Sequence, residues 1–417
     1  MQIRNHKGAS VARALAFLGA MAGYAITAQP ALAAAAAAVR SSCSDEVTTI
    51  SGDFEAAAYA RCEVVKRGQF KLTIAPEDGK VTNCSPWYAF ELNSSQSQAV
   101  SIELDYASCG HRYRPKFRVD GGDWQALPLQ DVSVETAKGK TSGGGKPIQN
   151  ATLRLNLPKG KVQVAAQPLF LTKDHAAWLD RVSTLPSVSR SLLGKSREGR
   201  PIERITIREP GESPVRHVVL TGRQHPPETT GAIAMQAFIE RLLEDDSLAR
   251  RYRTRYATDA VPLLNPDGVA RGHWRHNLGE LDLNRDWGGF TQPETQLMRD
   301  LLASLSQPDG HRLRLFFDFH STHHDTIYTL TDDQVTSPAG FTAKWLSTFQ
   351  AMIPEKKLRI DPGYNRGLPT SKTWVYEAYK MPTATYEVGD ETNPAEIRRD
   401  ARAGAEAMML TLLAIDE

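Results

Sequence analysis

The chain has 417 residues, 24% of them charged and 41% hydrophobic, with a formal net charge of +2. That length exceeds one small core and predicts two domains after any processing. Ordinary composition and near-neutral charge select neither nucleic acid nor a membrane surface as a partner.

Arg4, Lys7 and Arg13 stand around the start of the chain, an apolar run extends from Ala14 to Ile26, and Ala31-Leu32-Ala33 supplies a small-residue cleavage site. Residues 1–33 therefore read as a signal peptide. The competing reading is an uncleaved anchor, but the apolar run falls short of the about 20 residues a span requires. The mature protein is expected to be periplasmic or secreted, with no stable membrane insertion after signal removal. Its four cysteines, Cys43, Cys62, Cys84 and Cys109, all lie early in the mature chain. An even number in an exported protein predicts two disulfides, with three pairings open. A cysteine metal cluster is disfavoured because no C-x-x-C pair is present.

Residues 43–170 read as strands and turns. Phe70–Ile74 and Val100–Leu104 alternate apolar with polar, and Lys116–Val119 and Ala151–Leu157 are further strands. Gly121-Gly122-Asp123 marks a turn and Gly143-Gly144-Gly145 a loop. This pattern predicts a β-sandwich domain. Gly139-Lys140-Thr141 has the end of a phosphate loop, but Val134 stands where its first glycine belongs, so that reading is discarded.

Residues 175–417 change character. His217–Thr221, Ala260–Leu264 and Leu313–Phe319 are apolar strand-like runs; Glu228–Leu243, Glu294–Leu305 and Asn393–Leu413 carry helical spacing. Alternating strands and helices predict an α/β domain with a central, mixed sheet flanked by helices.

Three groups fall at predicted strand ends, where α/β folds place their sites. His225 and Glu228 sit three apart at the mouth of a helix, with Pro227 tolerable in a first turn that lacks helical amide partners. His320 ends the strand that contains Asp318, and alternation puts the two on one face. Glu387 lies on a β-branched segment. Each alone reads more readily as a capped helix, a satisfied histidine or an exposed carboxylate. Together they meet the demand of a catalytic zinc for three N/O ligands and an open position, with Glu387 as general base.

Between the ligands lie Asn265-Pro266-Asp267-Gly268, Arg275-His276-Asn277 and Asp282-Leu283-Asn284-Arg285-Asp286-Trp287. In this order the motifs resemble those of the zinc carboxypeptidases of the M14 type: H-x-x-E, N-P-D-G, R-x-N, D-x-N-R-x-W and a later strand histidine. Leu193-Gly194-Lys195-Ser196 and Glu198-Gly199-Arg200 match the family's entry segment. The resemblance spans roughly residues 175–417 and implies a Zn2+ cofactor held by His225, Glu228 and His320, with Asp282 orienting His225. It implies that Arg275 polarises the scissile carbonyl and that Asn284 and Arg285 grip the substrate's terminal carboxylate. Glu387 would serve water as base and the leaving amine as acid. It further implies a pocket position at Lys372, two before Trp374, which would favour an acidic terminal residue, and a covering tyrosine at Tyr364. The other reading of Lys372 is a side chain that snorkels to solvent.

Ser85–Phe90, Tyr113-Arg114-Pro115 and Asp123-Trp124 make the β-rich part similar to the sandwich of the cytosolic-carboxypeptidase branch, whose members trim glutamates. Export and Pro227, where members commonly carry glycine, are departures. The substrate implied is a peptide or muropeptide with a free C-terminal carboxylate. The alternatives are an aspartoacylase-like zinc deacylase of N-acyl amino acids, and a binding protein with a vestigial metal site. Asn265–Gly268 and Trp287 disfavour the former; the full catalytic set disfavours the latter.

Overall fold

The computed structural model describes residues 41–80, 83–142, 145–306 and 312–416. The expected signal peptide and two glycines of the Gly143–Gly145 loop lie outside the described residues.

From Cys43 to Ala165 the chain folds into a six-stranded and a five-stranded sheet. The five-stranded sheet runs Arg61–Lys66, Gln69–Ile74, Gln98–Tyr106, Pro147–Leu157, Val132–Thr141. Alternation puts Phe70, Leu72 and Ile74 beside Val100, Ile102 and Leu104 in one core, where they join Phe90 and Leu92 of the other sheet and Tyr88 just before that strand. The disulfides pair Cys43 with Cys62 and Cys84 with Cys109, which resolves the three alternatives.

The second part is built on an eight-stranded sheet. Its four central strands, in spatial order Tyr256–Val261, Arg216–Gly222, Arg312–Thr322 and Thr383–Gly389, are parallel. Antiparallel pairings flank them on both sides, Pro201–Ile207 on one and Thr326–Thr329 on the other. Period-two alternation supplies both faces. Val218, Leu220, Phe317 and Phe319 pack against helices Thr229–Leu242, Phe341–Met352 and Pro394–Ile415. Val219 and Phe316 face Trp287 and helix Pro293–Ser304. Gly231 lets the first of these helices close on the sheet: a Cβ there would lie 2.4 Å from the His320 carbonyl oxygen.

One predicted strand moves. The apolar run Ala260–Leu264 predicts a strand that the structure places at Tyr256–Val261. Thr258 and Asp259 are buried polar residues, satisfied by Tyr252 and by Thr206 and His217, so the true strand does not read as apolar. Pro262 lacks the amide that would continue the ladder.

Candidate metal centre and catalytic cleft

Strand Arg216–Gly222 ends at Arg223, whose φ of 56° turns the chain out of the sheet. The Arg223 guanidinium donates to the Pro226 carbonyl at 3.1 and 2.6 Å, bracing the turn that carries His225 and Glu228. Glu228 stands at the position before helix Thr229–Leu242, with no capping bond from its side chain. His320 lies near the end of Arg312–Thr322, and its register partner on the neighbouring parallel strand is Glu387.

These elements bring the expected ligands together. His225 Nδ1 lies 2.8 Å from Glu228 Oε1, and His320 Nδ1 lies 2.8 Å from Glu228 Oε2. One ligand atom from each residue falls within 4.8 Å of the others. Both imidazoles are held from behind: His225 Nε2 meets Asp282 Oδ1 at 2.9 Å, and His320 Nε2 meets Asp318 Oδ2 at 2.9 Å. Two imidazole nitrogens and a carboxylate, each imidazole backed by a second carboxylate, form a donor set that fits zinc. Burial favours the neutral Glu228 acid, but the two imidazoles outweigh it and hold the carboxyl well below the usual range. Burial likewise opposes ionisation of Asp282, and His225 with Arg275 reverses it.

A second group of carboxylates, Asp325, Glu396 and Asp400, is also close enough to hold an ion. There the Lys356 ammonium contacts all three, at 2.6 Å from Glu396 and 2.8 Å from Asp400, so its charge is met within the chain.

A polar cavity of about 150 Å³ opens over the first group. Glu387 lines it, and its Oε2 is buried without a hydrogen-bond partner among the described residues. Burial pushes the Glu387 carboxyl up to about 7, against the pull of His320. Arg275, Asn284 and Arg285 form the facing wall. Asp282 organises that wall as well: its Oδ2 takes Arg275 Nη2 at 2.6 Å, and its Oδ1 takes the Asn284 amide at 2.8 Å. Asn284 Oδ1 accepts from the Ser371 amide at 2.9 Å. Tyr364 also lines the cavity, 47% exposed and stacked 4.2 Å from Tyr328.

Lys372 is placed differently. It is 3% exposed, does not line the cavity, and donates its ammonium to the Thr329 and Tyr364 carbonyls at 3.0 Å each. It therefore props the Tyr364 loop from beneath, and burial lowers its pKa to about 8.

Other site residues escape sequence reading. Asp318 as the partner of His320 is foreshadowed by alternation, but its other bonds, from Gln224 Nε2 at 2.6 Å and from Ser371, are not. The cavity is also lined by Arg112 and Tyr113 of the β-rich part. Arg112 pairs with Asp390 at 2.9 and 2.7 Å, and burial raises the Asp390 carboxyl to about 6 against that pairing. No local pattern around Arg112 announces this role.

Residues 175–407 match Peptidase_M14, the zinc carboxypeptidase family. The chain is 26% identical over 241 residues to an uncharacterized protein of Zymomonas mobilis, a match covering 56% of this chain and 58% of that protein. It is 30% identical over 294 residues to human cytosolic carboxypeptidase 6, covering 66% of this chain and 56% of that protein. It thus spans little more than half the length of these relatives. A solved metallo-carboxypeptidase from Burkholderia cenocepacia superposes with a TM-score of 0.70 at 20% identity, over 88% of this chain and 99% of that one. At that identity the likeness carries the fold.

Proposed function

The chain belongs to the zinc carboxypeptidase family, and from that premise we propose that it releases C-terminal residues from peptides or muropeptides in the periplasm or outside the cell. One observation carries the reading: His225, Glu228 and His320 converge within 4.8 Å beside Glu387, whose buried Oε2 has no hydrogen-bond partner among the described residues. The two disulfides support an oxidising compartment.

His225 and His320, through Nδ1, and the Glu228 carboxylate would hold zinc. When bound, the ion supplies Lewis acidity and an acidified water. Asp282 and Asp318 keep each imidazole in the tautomer and orientation that turns Nδ1 toward the centre. Glu387 takes the proton of the attacking water and returns it to the leaving amine, and its unpartnered Oε2 leaves it free for both transfers. Arg275 donates to the oxygen of the scissile carbonyl as negative charge develops there. Arg285, whose Nη1 donates to the Asn284 carbonyl at 2.7 Å, keeps further N–H donors for a terminal carboxylate. That grip restricts cleavage to chain ends. A preference for acidic termini would draw first on the cationic lining, Arg112, Arg275 and Arg285, since two of the Lys372 donors go to carbonyls.

A digest of a peptide library that includes D-residue and diaminopimelate termini, read by mass, tests this. The expected result is single-residue shortening from the C-terminus that a chelator abolishes and zinc restores. Cleavage of an N-acyl-glutamate in place of any peptide end would move the assignment to a deacylase.

A further inference from the structure

We propose that Glu77, in the β-rich part, is a positioning residue for Arg275, so that the sandwich forms part of the catalytic apparatus. The proposal rests on the carboxypeptidase reading, which makes Arg275 the donor to the developing oxyanion.

The segment that carries Arg275 is gripped by three loops from far earlier in the chain. The Ala56 amide donates to the Ala270 carbonyl at 3.1 Å. Gly272, at φ 69°, closes helix Pro266–Arg271 against the same loop: a Cβ there would lie 2.3 Å from the Ala57 carbonyl oxygen. Trp274 Nε1 donates to the Tyr113 hydroxyl at 3.2 Å. The third grip bears on Arg275 itself. Glu77 Oε1 accepts from the Arg275 amide at 2.8 Å and from the His276 amide at 2.9 Å. Beside it, Asp78 Oδ2 meets His276 Nδ1 at 2.5 Å, with both side chains 3% exposed.

Glu77 lies three residues past the end of strand Gln69–Ile74, whose Phe70, Leu72 and Ile74 are core residues, so its backbone is anchored close to the sandwich core. Its other oxygen, Oε2, is buried with no partner among the described residues, which leaves the two amides as the bonds that hold the carboxylate. Arg275 is thus fixed at two points: its backbone on Glu77, and its guanidinium on Asp282 at 2.6 Å. With the first point released, the guanidinium pivots about the second. A donor displaced by about 1 Å from its transition-state partner loses about 100-fold in rate.

The test uses the full chain loaded with zinc. Glu77→Ala is expected to lower kcat about 10- to 100-fold with little change in KM or zinc content, measured below the onset of unfolding. Its loss should be non-additive with that of Arg275→Ala, since both act through one group. Glu77→Gln, which keeps an oxygen able to accept both amides, should recover most of the rate. Hydrogen exchange at the Arg275 and His276 amides should quicken in Glu77→Ala and return toward wild type in Glu77→Gln. Unchanged kcat in Glu77→Ala overturns the proposal, and so does a loss fully additive with Arg275→Ala. Should Glu77→Ala not fold, Glu77→Asp decides: one methylene shorter, it keeps the charge and loses the reach, and wild-type kcat in that variant overturns the proposal. Absence of any peptide cleavage by the zinc-loaded wild type would instead sink the carboxypeptidase reading, and the exchange measurement would still report whether Glu77 holds the segment.

Discussion

The two walls of the cleft are built on different plans. The ligand wall comes from one sheet: His225, His320 and Glu387 leave the ends of neighbouring parallel strands, and the ladders that pair Gly222 with Phe319 and His320 with Glu387 set their spacing. The facing wall, with Arg275, Asn284 and Arg285, is a connection between strand Tyr256–Val261 and helix Pro293–Ser304. It has no ladder of its own around Arg275, whose backbone amide donates to Glu77 of the β-rich part, 198 residues away. Backbone ladders set the spacing of the first wall, with Asp282 of the second wall behind His225. Around Arg275 the second wall also takes partners from the β-rich part.

The largest expected effect breaks the first wall alone. Glu387→Gln keeps the shape and removes the base, so kcat should fall by about 10²- to 10⁴-fold while metal analysis finds zinc unchanged. Next, Arg275→Ala should cut kcat by about 10²- to 10³-fold with zinc content and melting temperature unaltered. Zinc loss in Arg275→Ala would contradict the separation of the oxyanion donor from the ligand set. Asp318→Asn should weaken zinc by about 10- to 100-fold in competition with a chelator, because His320 loses the carboxylate behind it; kcat at saturating zinc should change far less. Gly272→Ala sharpens the other side of the comparison. The added Cβ meets the Ala57 carbonyl in a left-handed conformation, and denaturant titration should record a loss of about 1–3 kcal/mol.

The smallest effect concerns Lys372. Burial lowers its pKa from 10.5 to about 8 in the folded chain, so between those values the unfolded state binds more protons. Stability therefore gains from this group as pH rises through that window, by at most about 1.4 kcal/mol per pH unit. Lys372→Met should flatten the slope of stability between pH 8 and 10, measured by urea titration; an unchanged slope would remove Lys372 as its source.

The difference between the walls also explains what could be read from sequence. His225, Glu228, His320 and Glu387 stand at strand ends that hydrophobic runs reveal, and a strand end is where a parallel sheet presents side chains to ligand. Asp318 is legible by the same alternation that places His320. Strand Tyr256–Val261 is displaced from its apolar signal because Thr258 and Asp259 are buried through hydrogen bonds, which composition does not register. Lys372 shows another limit: the family spacing to Trp374 locates the residue, but the carbonyls of Thr329 and Tyr364 decide where its ammonium points. Glu77 and Arg112 have no local signature, and the motif that contains Tyr113 does not announce its place at the cleft. Their roles exist only once two distant parts of the chain are in contact, and the disulfide pairing is hidden for the same reason.

The convergence of three ligands on one ion is tested most directly by metal analysis of the purified chain after equilibration with zinc and exhaustive dialysis, with His320→Ala alongside. The account predicts a single zinc per wild-type chain and none retained by the folded variant. A well-folded wild type that keeps no zinc, or a His320→Ala chain that keeps it equally well, would contradict it.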